Sequence, residues 1–334
     1  MTELPRKIEI RNPYLWGYHR YGWRFAVEAL YEHLHCPAGI LLLSSVDDWF
    51  GRGGTVREPW VGFVHGVPRN PDWMEHAWDD VAHLVQRPHF QAALPFCAGL
   101  FALSRYLKDF LDRYGLDVPV DAVYHPCYTP PPERHFRADK FLANPAKRLL
   151  HVGQWMRVVQ SFFDLPSVPY EKTLLKCGGG HDLGLAPSKL VRNETVTLLD
   201  RVGDDQYDEL LSANVVFLDL FDASANNTVT ECIVRNTPLA INPLPAVVEY
   251  LGPQYPLYYH SLDEAAHKLA DFALVVATSE YLSALPIKAQ LSKSAFATAV
   301  AASPVYQGLR SPTQAQRARV RPALRSGRRG QTSP

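Results

Sequence analysis

The stretch from Val215 to Leu251, VVFLDLFDASANNTVTECIVRNTPLAINPLPAVVEYL, restricts the fold more than any other part of the chain. Its apolar run from Val215 to Leu220 has the length of a buried strand. A polar turn follows, Asp222 to Asn227. The spacing predicts a short helix from Thr228, with Asn227 as its N-cap. Val229, Cys232 and Ile233 share one face of that helix, and Asn236 followed by Pro238 ends it. Pro238 to Asn242 reads as a second buried strand. Pro245 suits the first turn of a second helix, Ala246 to Leu251. Strand, turn, helix, strand, turn, helix is the plan of a parallel sheet, which binds ligands where loops leave the carboxyl ends of its strands.

The turn Ala225-Asn226-Asn227 therefore sits where an anion binds, with free backbone N–H groups and the positive end of the helix dipole directed at it from Thr228 onward. Glu231 lies one turn into the helix. Two readings of it are open. Its carboxylate can reach back over the crevice and accept both hydroxyls of a vicinal diol such as a ribose, or it simply favours the helix N-terminus as acidic residues do.

The other strands and helices extend the same alternation. Strands are expected at Lys7 to Arg11, Gly39 to Val46, Trp60 to Val64, Ala98 to Leu103 and Asp121 to Tyr124, with helices at Trp23 to Leu34 and from the Ser104 N-cap to Tyr114. Pro126 to Lys147, with three successive prolines, interrupts the pattern. It resumes with strands at Arg148 to Gly153, Lys172 to Cys177 and Thr195 to Leu199. Leu262 to Ala277 and Glu280 to Ala301 read as helices. The expected fold class is α/β, two Rossmann-like domains facing across a cleft. Residues 1–130 form the first domain, 131–147 the linker, 148–280 the second domain, 281–306 a C-terminal helix, and 307–334 a disordered basic tail.

Composition agrees with a folded chain: 334 residues allow two domains, with 47% hydrophobic and 20% charged residues. The net charge of zero gives no general signal for nucleic acid, but no Asp or Glu follows Glu280, and residues 307–334 carry seven arginines. That tail suits an anionic surface or nucleic acid. Five scattered cysteines without a C-x-x-C speak against a zinc site or disulfide framework and point to a reducing compartment. The N-terminus lacks the apolar core of a signal peptide, and no run is long enough to span a bilayer. A cytoplasmic protein is expected, with peripheral membrane association left open.

Glu231-Cys-Ile-Val-Arg-Asn-Thr-Pro238, ending at Glu249, resembles the donor-site signature of retaining glycosyltransferases with two Rossmann domains (the GT-B type), family 4 and its relatives. Asn236, Pro238 and Glu249 fall on positions of that signature. The resemblance implies transfer from a nucleotide-sugar donor to a glycan, protein or small-molecule acceptor, with retention and without an obligatory metal or other cofactor. It implies that Glu231 holds the ribose and that Glu249 and the Asn226-Asn227-Thr228 turn belong to the donor side. It also implies that the last helix crosses back to the first domain. One departure stands out: Ala223 occupies a position that is usually Glu, with Asp222 beside it.

LLHVGQWMR, Leu149 to Arg157, resembles the opening of the donor domain. Arg157 can fork onto a diphosphate or be an ordinary surface residue. The Lys usual a few residues later is missing, leaving Lys172, Lys176 or Arg201 to supply a second cation. FVHGVP, Phe63 to Pro68, ends a strand, so His65 faces the cleft, where relatives place a histidine near the reacting sugar; a hydrogen-bonded structural histidine is the other reading. The aromatic turn NPYLWGYHRYGW suits the acceptor side, since aromatic faces stack on sugars.

Other motifs fail. GGGHDLG, Gly178 to Gly184, is neither a Walker loop nor a full dinucleotide fingerprint. No G-x-S-x-G occurs, so a hydrolase of the usual α/β type lacks its nucleophile elbow. Glu75, His76, Asp79, Asp80 and His83 have helical spacings that could hold a metal, but read better as a solvated face of i,i+4 pairs. Two other classes stay open: a non-catalytic nucleotide- or carbohydrate-binding protein on this fold, favoured by Ala223 and the missing Lys, and a sugar-nucleotide epimerase.

Overall fold

The computed structural model describes residues 4–12, 22–73, 80–175 and 195–310. The chain is α/β, with two wholly parallel five-stranded sheets, as the alternation of elements predicts. In the first half the order is β1 (Ile8–Glu9), α1 (Trp23–Leu34), β2 (Ile40–Leu43), α2 (Val46–Gly51), β3 (Trp60–Val64), α3 (Val81–Leu84), α4 (Pro88–Ala93), β4 (Cys97–Ala102), α5 (Arg105–Tyr114) and β5 (Val120–Ala122). These five strands lie side by side in chain order.

Successive strand residues point to opposite faces, and both faces are covered. Leu42, Val61, Phe63, Phe101 and Leu103 join α1 in one core, while Leu41, Leu43, Trp60, Val64, Leu100 and Ala102 join α2 to α5 in another. The strand expected to run to Val46 stops at Leu43. Ser45 Oγ accepts from Asp48 N at 3.3 Å and starts α2 instead, a helix that strand propensity hides.

The second half runs α6 (Ala138–Ala143), β6 (Arg148–Val152), α7 (Val159–Asp164), β7 (Glu171–Leu175), β8 (Val196–Leu199), α8 (Asp204–Ser212), β9 (Val215–Leu218), α9 (Asn227–Arg235), β10 (Leu239–Ile241), α10 (Pro245–Leu251), α11 (Leu262–Ala270), α12 (Phe272–Ser283), α13 (Lys293–Ala302) and α14 (Pro304–Gly308). The sheet order is β10-β9-β6-β7-β8, so strand placement reverses between β6 and β9. That reversal opens a crevice at their carboxyl ends.

Two expected helices are broken. Asp271 caps α12 by accepting from Leu274 N at 3.0 Å, which divides Leu262–Ala277. Pro286 opens a single 3-10 turn, Pro286–Gln290, inside the span expected from Glu280 to Ala301. Within the proline-rich segment, α6 buries Phe141 in the second core, and Phe136 N and Arg137 N donate to Arg235 O and Ser212 O. α13 and α14 lie over the first sheet: Phe296, Val300, Val305 and Tyr306 share a core with Trp23, Val27 and Leu30. Gln307 belongs to α14, and Leu309 is buried. The remainder of the basic stretch, 311–334, lies outside the described residues, as do GGGHDLG, Lys176 and most of the aromatic turn. Among the described residues, no helix is long and apolar enough to cross a membrane.

Candidate functional site

The loops leaving β6 and β9 run side by side. Val158 N donates to Asp219 O and Phe221 N to Met156 O, both at 2.8 Å. Arg157 lies between them and is only 6% exposed, so it is not an ordinary surface residue. Its Nε donates to Val152 O (2.8 Å) and one terminal nitrogen to Trp155 O (2.5 Å). The other terminal nitrogen donates to Asn226 Oδ1 (3.3 Å) and Thr228 Oγ1 (3.1 Å). The guanidinium thus braces the start of α9 against the β6 loop. It passes over Gly153, where φ is +82° and a Cβ would stand 2.8 Å from the guanidinium carbon. Only glycine fits both demands.

Helix α9 begins one residue earlier than predicted. Asn226, not Asn227, is the cap: its backbone is extended, and Oδ1 accepts from Thr228 N (3.0 Å) and Val229 N (3.3 Å). Either asparagine could cap by sequence; the Arg157 contact holds Asn226 in that role. Asn236 closes the helix at φ +60°, as its position before Pro238 predicts. Glu231 faces α8 more than open solvent. It is 9% exposed, and Oε2 accepts from Tyr207 OH at 2.6 Å. One turn on, Arg235 binds Asp208 Oδ1 at 2.7 and 2.9 Å, so α9 is stapled twice to α8. Lys172 is turned away from the crevice, with Nζ on the carbonyls of Phe162 and Leu165 at the end of α7. Arg201 is exposed in the loop before α8.

Two histidines stand at strand ends of the first half. His65 follows β3; its Nε2 lies 3.0 Å from Ser44 O, and its ring meets Trp23 edge-on at 4.1 Å. His125, which the sequence reading missed, follows β5 and is 4% exposed, with Nδ1 2.7 Å from Pro126 O. Its only sequence signal is a His-Pro pair at a strand end. The His125 ring and Asn227 Oδ1 converge beside Gly22, where a Cβ would lie 2.6 Å from His125 Cε1 and 3.2 Å from that oxygen. The strand ends of the first sheet and the N-terminus of α9 therefore meet at one place. Burial pushes both imidazoles down to about 4, so both are neutral at pH 7 and serve as hydrogen-bonding groups rather than acids.

Asp47, in the first turn of α2, fixes the His65 turn. It accepts from His65 N (2.6 Å) and Gly66 N (3.0 Å). Ala223 packs into the core, whereas Asp222 accepts from Tyr106 OH of the other half at 3.0 Å. Ser224, beside them, is 1% exposed and its hydroxyl has no partner among the described residues. Glu249 does not join the α9 turn. Its carboxylate takes Arg105 N (2.9 Å) and Tyr106 N (3.3 Å) at the start of α5.

Among the described residues, no group of three or more His, Cys, Asp or Glu could hold a metal. Glu75, His76 and Asp79 lie outside those residues. Asp80 is buried rather than solvated, because it caps α3 through His83 N (3.0 Å) and accepts from Asn70 N (2.9 Å).

No protein-family model matches the sequence, and no curated protein sequence does. Solved structures do match in fold. Sucrose-phosphate synthase from Thermosynechococcus elongatus is 12% identical with a TM-score of 0.56, covering 85% of this chain and 78% of its own. An α,α-trehalose 6-phosphate synthase from Burkholderia multivorans is 12% identical at 0.53, covering 93% and 80%. S. aureus TarM, solved with fondaparinux, α-GlcNAc-glycerol and UDP, is 12% identical at 0.53, covering 73% and 51%. The fold of this chain is the GT-B fold of those proteins.

Proposed function

We propose that the chain is a glycosyltransferase that moves a sugar from a nucleotide-sugar to a hydroxyl of an acceptor, with retention of anomeric configuration. One observation carries the reading: the braced N-terminus of α9 meets His125 beside Gly22, and Trp23 next to it packs on His65. A diphosphate at α9 meets the positive end of the helix dipole, the Thr228 and Val229 amides being held by the Asn226 cap, and a sugar extending from it meets the histidines. The bond from the anomeric carbon to the phosphate oxygen breaks, the bond to the acceptor oxygen forms, and the acceptor proton leaves with the nucleoside diphosphate. The protein supplies positioning and electrostatic stabilisation. His65, neutral and held by Ser44, orients a sugar hydroxyl. Fold likeness to sucrose- and trehalose-phosphate synthases supports this class of reaction, and the signature from Glu231 to Pro238 supports a donor site in the second half.

The test is a thermal-shift panel of UDP, GDP, ADP and their hexose conjugates, followed by product analysis with the conjugate that stabilises most. Transfer or hydrolysis that continues in EDTA is expected. Binding without turnover would leave a non-catalytic binder, and an isomerised nucleotide-sugar would leave an epimerase. Within the site, Glu231→Gln is expected to weaken nucleotide binding roughly tenfold or more, the worth of a charge-assisted hydrogen bond. Equal dissociation constants would remove Glu231 from the ribose site.

A further inference from the structure

We propose that His125 is a second imidazole of the transfer site, accepting a hydrogen bond from a hydroxyl of the transferred sugar. This rests on the glycosyl-transfer reading above and adds a residue outside its donor signature.

The ring's hydrogen bonds fix its role. A carbonyl oxygen only accepts, so the nitrogen facing it carries the proton. His125 Nδ1 faces Pro126 O at 2.7 Å and is therefore the N–H, which leaves Nε2 as a lone-pair acceptor. The same rule puts the proton of His65 on Nε2, against Ser44 O at 3.0 Å, and leaves its Nδ1 to accept. Among the described residues no group donates to His125 Nε2, on a residue that is 4% exposed. Its lone pair is therefore open to a donor that a ligand supplies.

The surroundings select a hydroxyl. Trp23 packs on both rings, its centroid 4.1 Å from that of His65 and 5.6 Å from that of His125. Its indole Nε1 is a buried donor with no partner among the described residues. Two imidazole acceptors beside one unused indole donor suit groups that both give and take a proton, as sugar hydroxyls do. A carboxylate or phosphate oxygen would find two lone pairs and be repelled. The Nε2 edge lies with Asn227 Oδ1 in front of Gly22, at the N-terminus of α9 where the diphosphate is placed. The sugar attached to that diphosphate is therefore the hydroxyl source.

The test separates sugar from nucleotide. Dissociation constants are measured by calorimetry for UDP against UDP-glucose, GDP against GDP-mannose and ADP against ADP-glucose, in wild type, His125→Asn and His125→Gln. Asn keeps a donor for Pro126 O but loses the Nε2 acceptor, whereas Gln carries an oxygen near the Nε2 position. In the pair that wild type binds, His125→Asn is expected to lose about fivefold or more of the extra affinity conferred by the sugar, with binding of the bare nucleoside diphosphate unchanged. His125→Gln is expected to recover part of it. An undiminished sugar increment in His125→Asn overturns the proposal and leaves the transferase reading standing; failure of wild type to bind any of the six overturns both. Nitrogen-15 NMR of the unliganded full chain checks the premise independently of any ligand. It should show His125 as the Nδ1–H and His65 as the Nε2–H tautomer, and the opposite tautomer at His125 would also overturn the proposal.

Discussion

Asp47 illustrates how a single side chain places the site. It is 6% exposed, and its two oxygens hold the amides that follow β3 and carry His65. Among the described residues no cation offsets its charge: burial raises its pKa to about 6, the amides of His65 and Gly66 pull against this, and neighbouring Asp48 adds to it. Because the folded pKa lies above the unfolded value of about 3.9, the folded state binds the proton more tightly. Its contribution to stability is full below about pH 4 and is lost as pH rises through about 6. The loss amounts to roughly 3 kcal/mol at most. Urea unfolding of wild type and Asp47→Asn at pH 4, 5, 6 and 7 checks this. Wild type is expected to lose stability relative to the variant between pH 4 and 6, with a constant difference above 7. A difference independent of pH would mean that the carboxylate is solvated. Asp47→Asn also places an amide N–H against a backbone N–H, so a displaced His65 and reduced turnover should accompany it.

Helix α14 shows where an element's placement becomes visible only in three dimensions. Tyr306 is fully buried, its hydroxyl accepts from Lys7 N (3.0 Å) and donates to Pro5 O (2.5 Å), and Lys7 Nζ returns to Tyr306 O (3.2 Å) and Gln307 O (3.1 Å). The two ends of the described chain are thereby tied together. Tyr306→Phe is expected to cost about 1–3 kcal/mol, because Lys7 N loses a buried partner, and Tyr306→Ala about 3–5 kcal/mol, because a cavity is added. Equal stability of wild type and Tyr306→Phe in urea would show that Lys7 finds water instead. The sequence makes α13 legible as a helix through Phe296, Ala297, Val300 and Ala301, but periodicity does not say which sheet those residues cover. Strands β3, β4, β6 and β9 were legible because both-face burial makes apolar runs. The caps Ser104 and Asn236 were legible because capping is local chemistry. The Asn226–Asn227 choice, the burial of Arg157 and the burial of His125 were not, since each depends on a partner distant in sequence.

At the scale of the whole molecule, the two sheets are joined by a contact between α10 and α5. Glu249 presents its carboxylate to Arg105 N and Tyr106 N, and Tyr250 donates to Leu103 O (2.7 Å) while accepting from His125 N (2.9 Å). Tyr106 OH adds its bond to Asp222. A carboxylate at the N-terminus of a helix gains from both the free amides and the dipole. Glu249 is half-buried, so solvent screens part of that gain. The clamp also reaches the site directly, because Tyr250 holds the backbone of His125. Glu249→Gln keeps the size and one acceptor but loses the charge. Hydrogen exchange at the Arg105 and Tyr106 amides is the direct measure, because those amides have no other acceptor once the two halves part. Their exchange is expected to accelerate roughly tenfold, in line with about 1.5 kcal/mol for a charge-assisted hydrogen bond. Amides inside β4 and β9 should keep their protection, since the cores of both halves are untouched. If the Arg105 and Tyr106 amides kept wild-type protection in the variant, Glu249 would not be what holds the halves closed. If β4 lost protection as well, the substitution would be acting on the fold of the first half rather than on the joint between the two.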